Sequence, residues 1–305
     1  MKGATASIRN LSSDSDVNLH LVLDPAIASE YARLDYLTPC ERLLIETYVA
    51  PGAAVLDLGV GGGRTTPRLL ARAGRYLGVD YSPEMIRVCR DKFPGVEFRQ
   101  ADASSMPLLN DKSFDVIFFS FNGIDWLWPS EKRHNCIREC WRLLRPGGVF
   151  IFSSHNPCSI LVWRGWDPDR VRSFSRRITR GSKILFPLAV AATTVAKATL
   201  SFLRSASETV SRMAHRLLRK AFRQREGYMV DPAHPGLLNH YWTPNHAISE
   251  LRSLGFQSLG VWCDEFPKPR SIYRADWYYY AFAKVAKDGE PDGPVSNRSG
   301  ADETH

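Results

Sequence analysis

At 305 residues the chain is long enough to bury a core and to hold one elaborated domain or two small ones. A composition of 44% hydrophobic and 24% charged residues excludes a disordered chain, and residues 1–16 lack the apolar run of a signal peptide. The formal charge of +8 is unevenly spread: residues 160–228 carry 15 Lys/Arg against 4 Asp/Glu, an excess of +11, which leaves the rest of the chain at −3.

Residues 1–24 read as a polar, mobile N-terminal segment. Pro25 to Tyr36 reads as a helix, and Pro39 to Val49 as an amphipathic one with Leu43, Leu44, Ile45 and Val49 inward. Ala54 to Leu58 is a short apolar run that breaks at glycine, so it reads as a buried strand entering a turn. A helix is expected from Thr65 to Ala73, closed by Gly74. Between strand and helix lies Asp57-x-Gly59-x-Gly61-x-Gly63. Glycines there let the backbone take positive φ and approach a ligand closely, with a helix N-terminus behind them. The dinucleotide fingerprint G-x-G-x-x-G does not fit, because its third glycine would fall on Arg64.

Tyr76 to Val79 reads as the second strand, ended by Asp80 and Tyr81; Ser82 and Pro83 then cap and start a helix. Val96 to Arg99 is expected as the third strand, followed by Asp102 and Ala103. Ser113 to Phe121 is apolar enough for a central strand buried on both faces, and it exits through Asn122, Gly123, Asp125 and Trp126. Pro129 to Leu144 reads as a helix. The turn Arg145-Pro-Gly-Gly148 then enters a fifth strand, Val149 to Ser153, which ends at His155 and Asn156.

These four landmarks, in this order across residues 50–156, resemble a class I S-adenosylmethionine (SAM) dependent methyltransferase of the broad small-molecule type, the UbiE/type 11 group. The resemblance implies an enzyme with SAM as cofactor. It implies a doubly wound, Rossmann-like α/β fold with a seven-stranded, mostly parallel sheet whose last strand is antiparallel. It also implies cofactor contacts from Asp57, Gly59, Gly61, Gly63, Asp80, Tyr81, Asp102, Ala103 and Phe121. In that family the first acid meets the ligand's ammonium group, the second the ribose hydroxyls and the third the adenine amine. Helices before the glycine loop often cap the site, so Tyr31 or Tyr36 either covers the cofactor or packs. The Asn/Asp-Pro-Pro-aromatic motif of amine methylation is absent after the fourth strand, which counts against amide and adenine acceptors.

Asn122, Asp125, Trp126 and His155 sit where the acceptor would enter. His155 reads as a general base, as pocket lining or as a structural residue. His240, Tyr241 and Trp242 read either as an acceptor wall or as packing. The six cysteines form no CxxC and no metal-ligand spacing, so no metal is expected; Cys136 and Cys140 read as helix packing, and the usage as that of a reducing cytoplasm.

The domain expectation is a SAM-binding core with cap helices at 25–156, a basic, largely helical insertion at 157–242, a closing helix and strand hairpin at 243–286, and a disordered tail at 287–305. In the closing part a capped helix spans Thr243 to Leu254, with strands at Phe256–Val261 and Asp276–Val285. Residues 197–225 form a basic amphipathic stretch: a lid or dimer contact, or a helix on an anionic membrane surface that would make the protein peripheral on the inner face. Nucleic acid is the least favoured partner. The acceptor is read as a small molecule or a lipid- or glycan-linked group, methylated on oxygen or nitrogen. A SAM-binding module without turnover, tethered by the basic stretch, is the alternative.

Overall fold

The computed structural model describes residues 18, 23–156, 187–188, 191–192, 226–230, 237–264, 266–267, 275 and 277–285. Two short helices, α1 (Pro25–Tyr31) and α2 (Pro39–Tyr48), precede the sheet. Then follow β1 (Ala53–Leu58), α3 (Thr66–Leu70), β2 (Ala73–Asp80), α4 (Pro83–Lys92), β3 (Phe98–Gln100) and β4 (Phe114–Phe119). A 3-10 turn at Gly123–Trp126 leads to α5 (Ser130–Leu143) and β5 (Leu144–His155). Later elements are β6 (Glu226–Val230), β7 (Leu238–Trp242), α6 (Pro244–Ser253), β8 (Phe256–Cys263) and β9 (Trp277–Lys284).

The order β3-β2-β1-β4-β5 is parallel throughout, and β9 then pairs antiparallel with β5 and carries β8 on its other side. The order reverses between β1 and β4, the place where open α/β sheets bind ligands at their carboxyl ends. The strands alternate between two buried layers. Leu56, Ile117, Phe150 and Tyr280 face one layer, which holds α5 and α6 residues; Val55, Val116, Ile151 and Tyr279 face the other, with α2 and α4. Burial on both faces is why these strands read as near-continuous apolar runs. The Arg145-Pro-Gly-Gly148 turn lies inside β5 as a bulge: Phe114 pairs with Leu144, but Val116 already pairs with Val149.

Several expectations change. Among the described residues the sheet has nine strands, not seven, because two segments of the expected insertion, β6 and β7, pair antiparallel with each other and Tyr241 of β7 pairs with His155. His155 pairs with Trp277 on its other side, so β7 takes up the edge that β4 leaves after its pairing of Phe119 with Phe152. Helix α1 ends at Tyr31 rather than Tyr36. Helix α3 stops at Leu70, and Gly74 lies in β2, where an added Cβ would come within 2.7 Å of the Gly52 carbonyl. Thr243 precedes α6 without a side-chain cap. Asn18, assigned to the mobile segment, is buried and tied by its amide to the carbonyls of Trp126 and Leu238.

Cys136 and Cys140 are buried in the core, as expected from their helical spacing. Among the described residues no helix is long and apolar enough to cross a membrane. The basic stretch 197–225, the tail 287–305 and residues 1–17 lie outside the described residues.

Candidate functional site

A pocket opens at the reversal point of the sheet. Its floor is Asp57 near the end of β1 with Gly59, Gly61 and Gly62 beyond it, Asp80 at the end of β2 with Tyr81, and Asp102 with Ala103 after β3. Its outer wall is apolar and aromatic: Ile27, Tyr31 and Leu34 from the cap, with Phe121, Trp126 and Leu127 after β4.

The glycines do separate jobs. Gly61 has φ +54, and a Cβ there would meet only Tyr31, at 3.9 Å, so its backbone faces open pocket. A Cβ on Gly62 would strike the backbone of Tyr31 and Ala32 at 2.6 Å, which is how the end of α1 comes to lie directly on the loop. Gly63, expected among the cofactor contacts, does not line the pocket. Its φ of +81 turns it toward Phe93 of α4, 2.4 Å from where a Cβ would stand, so it is required for packing.

The acids hold the loop in shape. Asp80 accepts the Gly61 N–H at 2.8 Å on one oxygen and the Ser82 N–H at 2.9 Å on the other. Burial raises its carboxyl above the ordinary range against these hydrogen bonds. Asp57 accepts the Thr65 hydroxyl at 2.7 Å and the Tyr76 hydroxyl at 2.8 Å, both on Oδ2. Burial pushes its carboxyl up to about 6 despite those two donors. Asp102 accepts from the Ser104 backbone and hydroxyl and pairs with Lys132 at 3.1 Å.

The Asp57 shift has a sign that can be checked. An aspartate in an unfolded chain ionises near pH 3.9. Between about pH 4 and 6 the folded protein therefore keeps a proton that the unfolded chain has lost, and stability falls as pH rises through that window. The loss is expected to be roughly 3 kcal/mol at most. Asp80 acts in the same direction. Thermal melts from pH 4 to 7 should show a shallower decline in Asp57→Asn; parallel curves for the two proteins would refute the assignment.

A buried ion pair braces the pocket from behind. Glu41 of α2 is fully buried and takes the Arg64 guanidinium at 2.5 and 2.6 Å, one nitrogen on each oxygen. The Ser120 hydroxyl and the Thr38 N–H also donate to it. Burial works to raise the Glu41 carboxyl, but Arg64, Ser120 and Thr38 outweigh it and hold the group below its usual range. Arg64 in turn lies over the Phe121 ring at 4.5 Å. Phe121 and Asn122 both have positive φ, +57 and +62, a costly pair for non-glycine residues that turns the chain sharply after β4. Sequence reading missed this pair. Glu41 closes a capping box with Thr38, a local pattern, but its second partner lies 23 positions away, where no spacing rule points.

Beside the pocket stands an Asp–His pair. His155 donates Nδ1–H to Asp125 at 2.7 Å, and its backbone N–H goes to the same oxygen at 2.7 Å. Ser154 holds the other Asp125 oxygen at 2.5 Å. Burial acts to raise the Asp125 carboxyl, and His155 with His240 overcomes it, leaving the group below its usual range. With Nδ1 committed to the carboxylate, Nε2 carries the lone pair and faces the Asn122 amide nitrogen at 3.4 Å. Among the described residues the buried Asn122 Oδ1 atom has no hydrogen-bond partner.

The other expected acceptor contacts divide. Trp126 lines the pocket, while Asn122 and His155 stand next to it and do not line it. Asp125 has no exposed surface, so it cannot touch an acceptor; it orients His155. His240 is 1% exposed, with its ring nitrogens 3.6 Å from Asp125 and Glu226, and Trp242 is fully buried against Phe152 and Arg133. Neither forms an acceptor wall. Tyr241 is partly exposed in β7, opposite His155. Tyr31 lines the pocket, whereas Tyr36 is half exposed beneath Arg64.

Residues 55–148 match a methyltransferase-domain family. A probable S-adenosylmethionine-dependent methyltransferase of Mycolicibacterium smegmatis is 35% identical over 105 residues, 34% of this chain and 39% of its own length. The ubiquinone/menaquinone biosynthesis C-methyltransferase UbiE of Hahella chejuensis is 31% identical over 146 residues, 45% of this chain and 55% of its own. The chain thus spans 39–55% of the length of these curated relatives. The 1,6-didemethyltoxoflavin-N1-methyltransferase of Burkholderia thailandensis, solved with 1,6-didemethyltoxoflavin and S-adenosylhomocysteine, superposes with a TM-score of 0.53 at 16% identity, covering 91% of this chain and 93% of that one. At that identity the likeness is one of fold.

Proposed function

A class I SAM-dependent methyltransferase domain forms the core of this chain, and from that premise we propose that the protein transfers the methyl group of SAM to an oxygen or nitrogen of a small, largely apolar acceptor. The observation that carries this reading is the donor–acceptor balance of the pocket. Three carboxylates end three successive strands around an open glycine turn. A pyrophosphate would be repelled there, whereas a ligand bearing an ammonium group, two ribose hydroxyls and an adenine amine offers a donor to each acid.

Bound there, SAM supplies a sulfonium methyl group open to in-line attack. The chain's task is to align two reactants and exclude water, mainly a proximity effect. The cap residues Ile27, Tyr31 and Leu34 with Phe121, Trp126 and Leu127 form the dry side of the pocket and favour an apolar or aromatic acceptor. Beside it, His155 Nε2 takes the proton of the acceptor's O–H or N–H as the new bond to the methyl group forms, and Asp125 steadies the resulting imidazolium.

Asp80→Ala tests the cofactor placement. It removes the ribose acceptor and also frees the Gly61 and Ser82 N–H groups. Charged hydrogen bonds are each worth about 1.5–3 kcal/mol, so SAM affinity should fall at least ~10–100-fold by calorimetry. An unchanged affinity would count against Asp80 as a cofactor contact. For the acceptor, methyl-labelled SAM is incubated with the protein and a lysate of its own host, and label is followed into small-molecule, lipid, glycan, protein and nucleic-acid fractions. Label in apolar small molecules is the expected result. Label in lipid or glycan would extend the acceptor to a carrier-linked one, and SAM binding with no S-adenosylhomocysteine formed would favour a binding module without turnover.

A further inference from the structure

A second polar cluster lies away from the pocket, where β6, α5 and α6 meet. Glu226, His246 and Glu250 place one ligand atom each so that all lie within 4.8 Å of one another. His246 and Glu250 are four residues apart on α6 and therefore share a helix face. His246 Nε2 stands 3.4 Å from Glu226 Oε2 and 4.0 Å from Glu250 Oε2. His134 of α5 approaches the other Glu250 oxygen at 3.0 Å, yet that buried oxygen has no aligned hydrogen bond.

These separations suit a metal better than a hydrogen bond. A good N–H···O contact spans about 2.7–3.2 Å. Ligands about 2.1 Å from a tetrahedral ion stand about 3.4 Å apart. The first edge already has that length, the second must close by about 0.6 Å from 4.0 Å, and the edge between the two carboxylates is no longer than 4.8 Å.

We propose that Glu226, His246 and Glu250 bind one divalent transition-metal ion, with His134 orienting Glu250 from behind. One imidazole and two carboxylates select a borderline ion of the zinc type over magnesium or calcium, which prefer all-oxygen shells. His246 is 28% exposed and Glu226 44%, which leaves an entry path and room for water as a further ligand. Arg133 opposes the ion: it lies 3.2 Å from Glu226 Oε2. With Arg133 counted, the two carboxylates still present a net charge of about −1 to a doubly charged ion, so attraction persists. Glu226 opens β6 and the other two ligands belong to α6, so the ion would clamp β6 onto α6.

Zinc is the probe. Full-length protein stripped with a chelator is titrated with Zn2+ by calorimetry and melted with and without it. One equivalent should bind and raise the melting temperature. His246→Asn and Glu250→Gln should each weaken zinc at least ~100-fold, and His134→Ala ~10–100-fold as an outer-sphere partner. SAM binding, measured on the same samples, should not change, which also shows that each variant is folded. Zinc affinity within about threefold of wild type in the His246→Asn/Glu250→Gln double variant would overturn the proposal, as would the absence of any zinc-dependent heat. Equal affinity for Zn2+ and Mg2+ would overturn the assignment to a transition metal.

Discussion

In His155→Ala, kcat is expected to fall ~10²–10⁴-fold, the usual worth of a positioned general base, while SAM affinity stays within about twofold. The reason is the division of contacts. The pocket proposed for the cofactor is walled by the glycine turn and the three acids, and His155 stands outside it, held by Asp125 at 2.7 Å. Its loss therefore removes proton transfer and leaves the cofactor contacts in place. Asp125→Asn separates holding from charge. An amide keeps roughly the same shape, but it cannot stabilise an imidazolium and can turn its NH2 toward Nδ1, which favours the wrong tautomer. That variant should lose most of the same rate with a smaller loss of stability than Asp125→Ala, because Ser154 and the His155 N–H also depend on the carboxylate. The readout is single-turnover methyl transfer at saturating acceptor. Full turnover in His155→Ala would reduce His155 to a structural residue at the end of β5. Such a result would also favour an acceptor whose reacting atom needs no deprotonation.

Glu41→Ala is expected to destabilise the protein by about 3–5 kcal/mol, the range for removing one partner of a buried ion pair. Arg64 has a side chain only 7% exposed, so its charge would be left uncompensated behind the pocket. The Ser120 hydroxyl and Thr38 N–H would lose their acceptor as well. For a chain of this size the shift corresponds to a drop of about 10 °C in the melting temperature. Glu41→Leu combined with Arg64→Met should recover much of that loss, because the main penalty is the orphaned charge and not the missing attraction. SAM affinity need not recover with stability, since Arg64 also lies on the Phe121 ring and lines the pocket. Thermal and urea unfolding of the single and double variants decide the matter. A single variant within about 1 kcal/mol of wild type would mean that water reaches Arg64 readily.

Much of the sheet and glycine loop across residues 50–156 was legible in the sequence because its signals are local. Gly59 and Gly61 take positive φ within a five-residue turn, and Ser82 caps α4 through the Met85 N–H three residues on. The alternation of Val116, Ile117, Phe118 and Phe119 marks a strand buried on both faces. Each of these is a backbone or periodicity requirement that neighbouring residues can meet alone, so spacing along the chain is enough to read it. Tertiary structure alone decided what those residues face. Gly63 had the spacing of a cofactor glycine and turned instead to Phe93. Asp125 had the position of an acceptor contact and is buried under His155, 30 residues away. His240 and Trp242, polar and aromatic at a sheet edge, became interior when β6 and β7 extended the sheet. Glu41 found Arg64 across 23 residues, and Glu226 came to stand beside His246 from another element. These partners are set by which layers pack together, and no period or motif in one chain records that, because the energy that buries a charge or a ring belongs to the contact and not to either residue.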